Sequence, residues 1–156
     1  FSKYFGMTGW RLGWLVAPEA AVTEMEKLAQ NFFISMSTMA QYAALAGFEP
    51  GTREILEQRR EIFRQRRDYL LPAVQELGFA VPCRPQGAFY IYANCSRFTA
   101  DSFGFARELL EQAGVAIAPG ADFGDNAAAA HVRFAYTQPV AVLREGVARI
   151  AQFLGR

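Results

Sequence analysis

Phe1-Ser2-Lys3-Tyr4-Phe5-Gly6-Met7-Thr8-Gly9-Trp10-Arg11-Leu12-Gly13-Trp14-Leu15-Val16 opens the chain and carries its densest chemistry. Three glycines, Gly6, Gly9 and Gly13, give this backbone access to tight turns and close approach to a ligand. Five aromatic residues around them limit water. Lys3 and Arg11 are then two cations in a partly dry, turn-rich setting, which suits an anionic or carbonyl ligand. The chain holds 16 Lys plus Arg, and its only lysines are Lys3 and Lys27. An arginine stays charged, whereas a lysine can lose its proton and attack a carbonyl as a free amine. Lys3 is therefore a candidate where the amine itself is needed. Composition alone leaves a solvated lysine open.

The ordered run Ser2-Lys3-Tyr4-Phe5-Gly6-Met7-Thr8-Gly9-Trp10-Arg11-Leu12-Gly13 resembles the lysine segment of class I/II aminotransferases, fold-type I enzymes that use pyridoxal 5'-phosphate. The resemblance implies that Lys3 forms the Schiff base with the cofactor and that Arg11 contacts its phosphate. It extends to the end of the chain and matches the C-terminal part of the family's pattern. The serine two residues before Ser2 in that pattern, the aspartate on the pyridine nitrogen and the aromatic stacked on the ring have no counterpart here. The expectation is a fragment, inactive by itself.

The 156 residues suit a substantial core. Hydrophobic residues make up 52% and charged residues 20%, a globular rather than disordered balance. A net charge of +1 gives no global pull toward nucleic acid or an anionic membrane. Cys83 and Cys95 are too far apart for a CxxC site and stand without a His cluster. The reading is therefore a reduced, cytoplasmic protein without a metal site, one bridge between the two remaining open. The single histidine, His131, reads as structural or surface rather than as an acid or base. No run reaches the roughly 18 apolar residues of a membrane span.

Along the chain, Trp10–Ala17 is apolar and predicts a strand closed by Pro18. In the resembled family it adds to the sheet of the large cofactor-binding domain. Pro18-Glu19 opens a helix with Val22, Met25, Leu28 and Ala29 at helical spacing. Ser35, Ser37 and Thr38 offer an anion site or, preferably, a cap for the next helix, Met39–Phe48. Thr52–Leu77 predicts one long helix with Thr52 as N-cap, a kink at Pro72 and a stop at Gly78. Its apolar stripe is Ile55, Leu56, Ile62, Phe63, Tyr69, Leu70, Val74 and Leu77. Arg59, Arg60, Arg64, Arg66 and Arg67 on its other face suggest RNA binding. Interleaved Glu54, Glu57, Glu61 and Asp68 favour a solvated face instead.

Phe79–Arg84 and Ala88–Ala93 predict a hairpin about Pro85-Gln86-Gly87. Asp101–Ala113 predicts a helix with Phe105, Leu109 and Leu110 inward, capped by Gly114, and Val115–Ala118 a short buried strand. Gly87-Ala88-Phe89-Tyr90 resembles the family's strand start near the substrate, with Phe89 or Tyr90 lining the pocket or packing in the core. Pro119-Gly120-Ala121-Asp122-Phe123-Gly124 resembles its PGxxFG-like loop. His131–Tyr136 predicts the last strand, Val132, Phe134 and Tyr136 on one face and His131, Arg133 and Ala135 on the other. An arginine there also reads as a surface residue. The resemblance implies that Arg133 binds the substrate α-carboxylate, a task for which a planar fork of donors is suited. A helix after Gln138-Pro139 closes the chain, with Val142, Val147, Ile150 and Phe153 inward.

The predicted fold class is α+β, a two-layer sandwich of helices on a small, mostly antiparallel sheet in the order β-β-α-β-β-α. The expected organisation is a remnant of the large cofactor-binding domain at residues 1–17, a helical connection at 18–50 and a small C-terminal domain at 51–156. The resemblance implies transfer of an amino group between a 2-amino acid and a 2-oxo acid by a homodimeric parent enzyme. Two alternatives stay open. One is another pyridoxal-phosphate reaction, such as a lyase, decarboxylase or racemase. The other is a non-catalytic α+β interaction domain using the arginine-rich helix.

Overall fold

The structure, a computed structural model, describes residues 1–156. The chain divides into two compact units, Phe1–Arg60 and Glu61–Arg156. Helices α1 (Glu19–Phe32), α2 (Thr38–Ala46) and α3 (Pro50–Glu76) are followed by β1 (Tyr90–Asn94), α4 (Ser102–Ala113), β2 (Ala118–Pro119), β3 (His131–Ala135) and α5 (Val140–Phe153).

In the first unit, a turn at Lys3–Phe5 leads into a 3-10 helix at Thr8–Trp10. Met7 and Leu12 are buried against Ala40 and Ala44 of α2, with Phe1, Phe5 and Met36 around them. Small alanines on α2 let this segment lie close. Ser37 caps α2 by accepting from the Ala40 N–H at 3.4 Å, the capping role expected of this serine cluster. The strand expected at Trp10–Ala17 does not form: Leu12–Pro18 has no regular structure. A strand needs a ladder partner, and no segment of this chain pairs with it. Trp14, Leu15 and Val16 consequently stand 73%, 64% and 86% exposed. Helix α1 forms where predicted, yet none of its residues is buried, so its apolar stripe faces no core of this chain.

Helix α3 begins at Pro50, two residues ahead of the expected cap Thr52. Proline suits a first turn, where its missing N–H has no partner to lose. The helix continues through Pro72 to Glu76. Of its predicted stripe, Leu56, Leu70, Val74 and Leu77 are buried, whereas Ile55 and Ile62 are exposed.

The second unit is α+β as predicted, with a three-stranded antiparallel sheet ordered β1-β3-β2. One face of β3 carries Val132 and Phe134, both buried with Tyr136 just beyond the strand. They pack with Ile91 and Ala93 of β1, Leu70 and Val74 of α3, Phe105 and Leu109 of α4, and Leu143 and Ile150 of α5. The period-two reading of His131–Tyr136 thus gives the correct inward face. Asp101 caps α4 by accepting from the Phe103 and Gly104 N–H groups, each at 3.1 Å. Gly114 ends the helix at φ +65, a left-handed conformation that side chains resist.

The predicted hairpin is reduced. Phe79–Arg84 contributes a single bridge, Ala80 to Asn94. Pro82 and Pro85 bring no N–H to a ladder, which limits pairing to its first rung. β1 instead takes β3 as its full partner. The strand expected at Val115–Ala118 survives only as Ala118–Pro119.

Candidate functional site

Lys3 lies in the exposed turn that opens the first unit, its carbonyl accepting from the Gly6 N–H at 3.1 Å. The Thr8 hydroxyl donates to Ser2 O at 2.7 Å and ties the residue before Lys3 to the 3-10 helix. Tyr4, beside Lys3, donates to Glu57 of α3 at 2.6 Å. Arg11 follows the 3-10 helix with φ 52 and ψ 44, left-handed for a residue that has a Cβ. Such a backbone is uncommon and marks a position worth a ligand hypothesis. Its Nη1 donates to Thr8 O at 3.3 Å, and the side chain is otherwise exposed. The same compact unit therefore holds Lys3 and Arg11 eight residues apart. Their donor set fits pyridoxal phosphate: a primary amine for the aldehyde and a guanidinium for the phosphate.

Arg133 belongs to the second unit, at the middle of β3, opposite Tyr92 on β1 and Ala118 on β2. Its Cζ lies 4.0 Å from the Tyr90 ring centroid and 4.3 Å from that of Phe123. Cation–π attraction favours such a placement. Its Nε is buried and has no hydrogen-bond partner. A buried donor without an acceptor is costly, and functional sites are where such groups are retained.

The surroundings of Arg133 are aromatic. Tyr92 stacks on His131 with centroids 4.9 Å apart and planes 3° apart, and meets Phe123 edge-on at 6.2 Å. His131 Nδ1 is 2.9 Å from Ala127 O, a local structural contact. The loop at Gly120–Phe123 approaches β3 so closely that a Cβ on Gly120 would meet Ala128 O, His131 O at 2.7 Å and the Tyr92 hydroxyl at 2.9 Å. Tyr90 rather than Phe89 packs on the arginine; Phe89 joins the core periphery near Phe63. Phe123 enters the sequence reading only as a letter of the PGxxFG-like loop, with no role attached to it. The usable signal was parity for Tyr90 and Tyr92, which share the sheet face opposite Ile91 and Ala93. The PGxxFG-like loop marks Phe123 locally, but its contact with Arg133 is not legible there, because it depends on the loop returning to the sheet.

The arginine-rich face of α3 is largely neutralised. Arg60 pairs with Glu57 at 2.5 Å, Arg64 with Glu61 at 2.7 Å and Arg67 with Asp68 at 2.7 Å. This is the solvated, ion-paired face that the interleaved acids predict. No group of His, Cys, Asp and Glu is arranged to hold a metal ion, and no helix is long and apolar enough to cross a membrane.

A family model described as aminotransferase class I and II matches residues 1–150. The chain belongs to the class I and II aminotransferases. It is 37% identical over 154 residues to a valine–pyruvate aminotransferase of Mycobacterium tuberculosis, covering 99% of this chain and 40% of that protein. It is 39% identical over 157 residues to an aspartate/prephenate aminotransferase of Thermus thermophilus, again covering 99% and 40%. Among solved structures, an aminotransferase from Mycobacterium tuberculosis superposes with a TM-score of 0.94 at 37% identity, over 99% of this chain and 40% of that one. A Methanococcus jannaschii protein, described as similar in its active site to kynurenine aminotransferases, gives 0.92 at 36% identity, over 99% and 40%. This aminotransferase chain thus spans about 40% of the length of these relatives. Class I and II aminotransferases generally depend on pyridoxal phosphate, act on amino and oxo acids, and are commonly dimers.

Proposed function

We propose that this chain is part of a pyridoxal-phosphate-dependent aminotransferase that moves an amino group between a 2-amino acid and a 2-oxo acid. In this reading residues 1–17 belong to the large cofactor-binding domain, 18–50 connect, and 51–156 form the small domain of a homodimeric enzyme. The observation that carries the reading is Arg133, a strand-borne guanidinium packed on two aromatic rings with a buried donor that lacks an acceptor. That is a poor surface arginine and a good carboxylate receptor.

When bound, the cofactor supplies an electron sink for the substrate's α-carbon. Arg11 would hold its phosphate by charge and hydrogen bonding. Lys3 Nζ would hold the cofactor at its aldehyde, and as a free amine would move a proton from and to the substrate α-carbon, as general base and then general acid. Arg133 would grip the α-carboxylate through its guanidinium N–H groups and so orient the substrate. Lyases, decarboxylases and racemases on the same cofactor would use the same three residues. The names of the relatives favour transamination.

The test is reductive trapping. Pyridoxal phosphate is added, the protein is reduced with borohydride, and the modified peptide is mapped. Modification at Lys3 is expected. Lys27, ion-paired to Glu24 at 2.7 Å on α1, serves as the internal control. Labelling at Lys27 or at no lysine overturns the assignment.

A further inference from the structure

We propose that Phe123 is a positioning residue for carboxylate recognition: with Tyr90 it holds the Arg133 guanidinium in a fixed, dehydrated orientation before the carboxylate arrives. The inference rests on the reading of Arg133 given above and extends it to a residue of a different segment.

An arginine side chain has many rotamers, and ordering it on binding weakens affinity. Here the ordering precedes binding. The guanidinium carbon lies over the Tyr90 ring at 4.0 Å and the Phe123 ring at 4.3 Å. Aromatic faces attract the cation and accept no N–H hydrogen bond of ordinary strength, so the donors are kept for a ligand.

The two rings arrive differently. Tyr90 is on β1, placed by the sheet register. Phe123 ends the 3-10 turn Gly120–Phe123, and that turn is pressed onto β3 through the slot that Gly120 leaves beside Ala128 O, His131 O and the Tyr92 hydroxyl. Phe123 itself is 45% exposed, so core packing does not account for a large apolar side chain there. Its ring packs on Arg133 and meets Tyr92 edge-on. A half-exposed phenylalanine whose ring packs on a cation is explained by that cation.

The experiment follows the Arg133 Nε–H resonance in the 15N-labelled full chain, identified by its loss in Arg133→Lys. It uses Phe123→Leu, Phe123→Tyr and pyruvate as the carboxylate probe. In the native chain this resonance is expected to be ring-shifted and slow to exchange. Phe123→Leu moves it toward the ordinary arginine position and speeds its exchange, while Phe123→Tyr preserves both. Pyruvate affinity falls by about 3- to 30-fold in Phe123→Leu and is retained in Phe123→Tyr. Phe123 is half-exposed and not among the buried core residues, and thermal unfolding of all three proteins verifies an equal fold. An Arg133 resonance indifferent to Phe123→Leu overturns the proposal. So does equal weakening of pyruvate binding by leucine and tyrosine. If pyruvate perturbs Arg133 in the native chain without any dependence on Phe123, the positioning role falls and the carboxylate role stands. If pyruvate leaves Arg133 unperturbed in every variant, the carboxylate role fails and this inference falls with it.

Discussion

The Tyr4 hydroxyl donates a 2.6 Å hydrogen bond to Glu57 Oε1, fastening the residue next to Lys3 to the first half of α3. The bond to the Glu57 carboxylate, together with desolvation and the like charge, raises the phenol above its ordinary value of 10.0. A group whose proton is held more tightly in the folded state contributes stability below its unfolded value and loses it as pH rises through the folded one. Tyr4→Phe should therefore narrow its stability gap to the native chain above pH 10.0. Glu57→Gln should bring one tyrosine ionisation back to lower pH. Ultraviolet tyrosinate titration of the two proteins reads this directly, and superimposable curves would refute the coupling.

Asp68 gives the acid counterpart. Its carboxylate receives Arg67 at 2.7 Å and Arg84 at 3.2 Å. The hydrogen bond from Arg67 is the leading cause of a carboxyl held below its ordinary 3.8. Stability from this group is complete above the unfolded value and is lost as pH falls through the lowered folded one. Asp68→Asn should therefore be destabilised relative to the native chain at neutral pH, and the difference should shrink below pH 3.8. Denaturant midpoints across the acid range measure it. A gap that stays constant with pH would show that charge plays no part.

Leu109 and Leu110 are neighbours on α4 with opposite fates, 0% and 52% exposed. Leu109→Ala should cost about 2–5 kcal/mol by leaving a hole beneath the sheet. Leu110→Ala should stay within about 0.5 kcal/mol of the native chain. Chemical denaturation of the two variants separates them, and similar losses would contradict the described core.

The two thiols should react at very different rates. Cys83 is exposed and Cys95 fully buried, both free. Desolvation raises the Cys95 thiol above its ordinary value, which depletes the reactive thiolate. A thiol reagent should label one equivalent promptly at Cys83 and the second only on unfolding. Prompt labelling of both would be inconsistent with Cys95 lying in the core.

Features set by nearest neighbours along the chain were legible in the sequence. Asp101 and Gly114 bracket α4 as their chemistry requires, Ser37 caps α2, and the alternation through Val132, Phe134 and Tyr136 marks the inward face of β3. Features that need a distant partner were not. Trp10–Ala17 has a strand's composition but no ladder to join, and Phe79–Arg84 has too few N–H donors around Pro82 and Pro85 to form a full hairpin arm. The apolar stripe of α1 is genuine in spacing and meets no core. The same division holds at the candidate site. Lys3, Arg11 and Arg133 could be named from local pattern and resemblance, while the packing of Phe123 on Arg133 depends on a loop that returns to the sheet.

The bare run Trp14-Leu15-Val16 should also set how this polypeptide behaves in a test tube. Three greasy side chains on unpaired, hydrogen-bond-hungry backbone offer a landing strip to any similar molecule nearby. Light scattering that climbs with concentration, and drops when Val16 becomes lysine, would be its macroscopic signature.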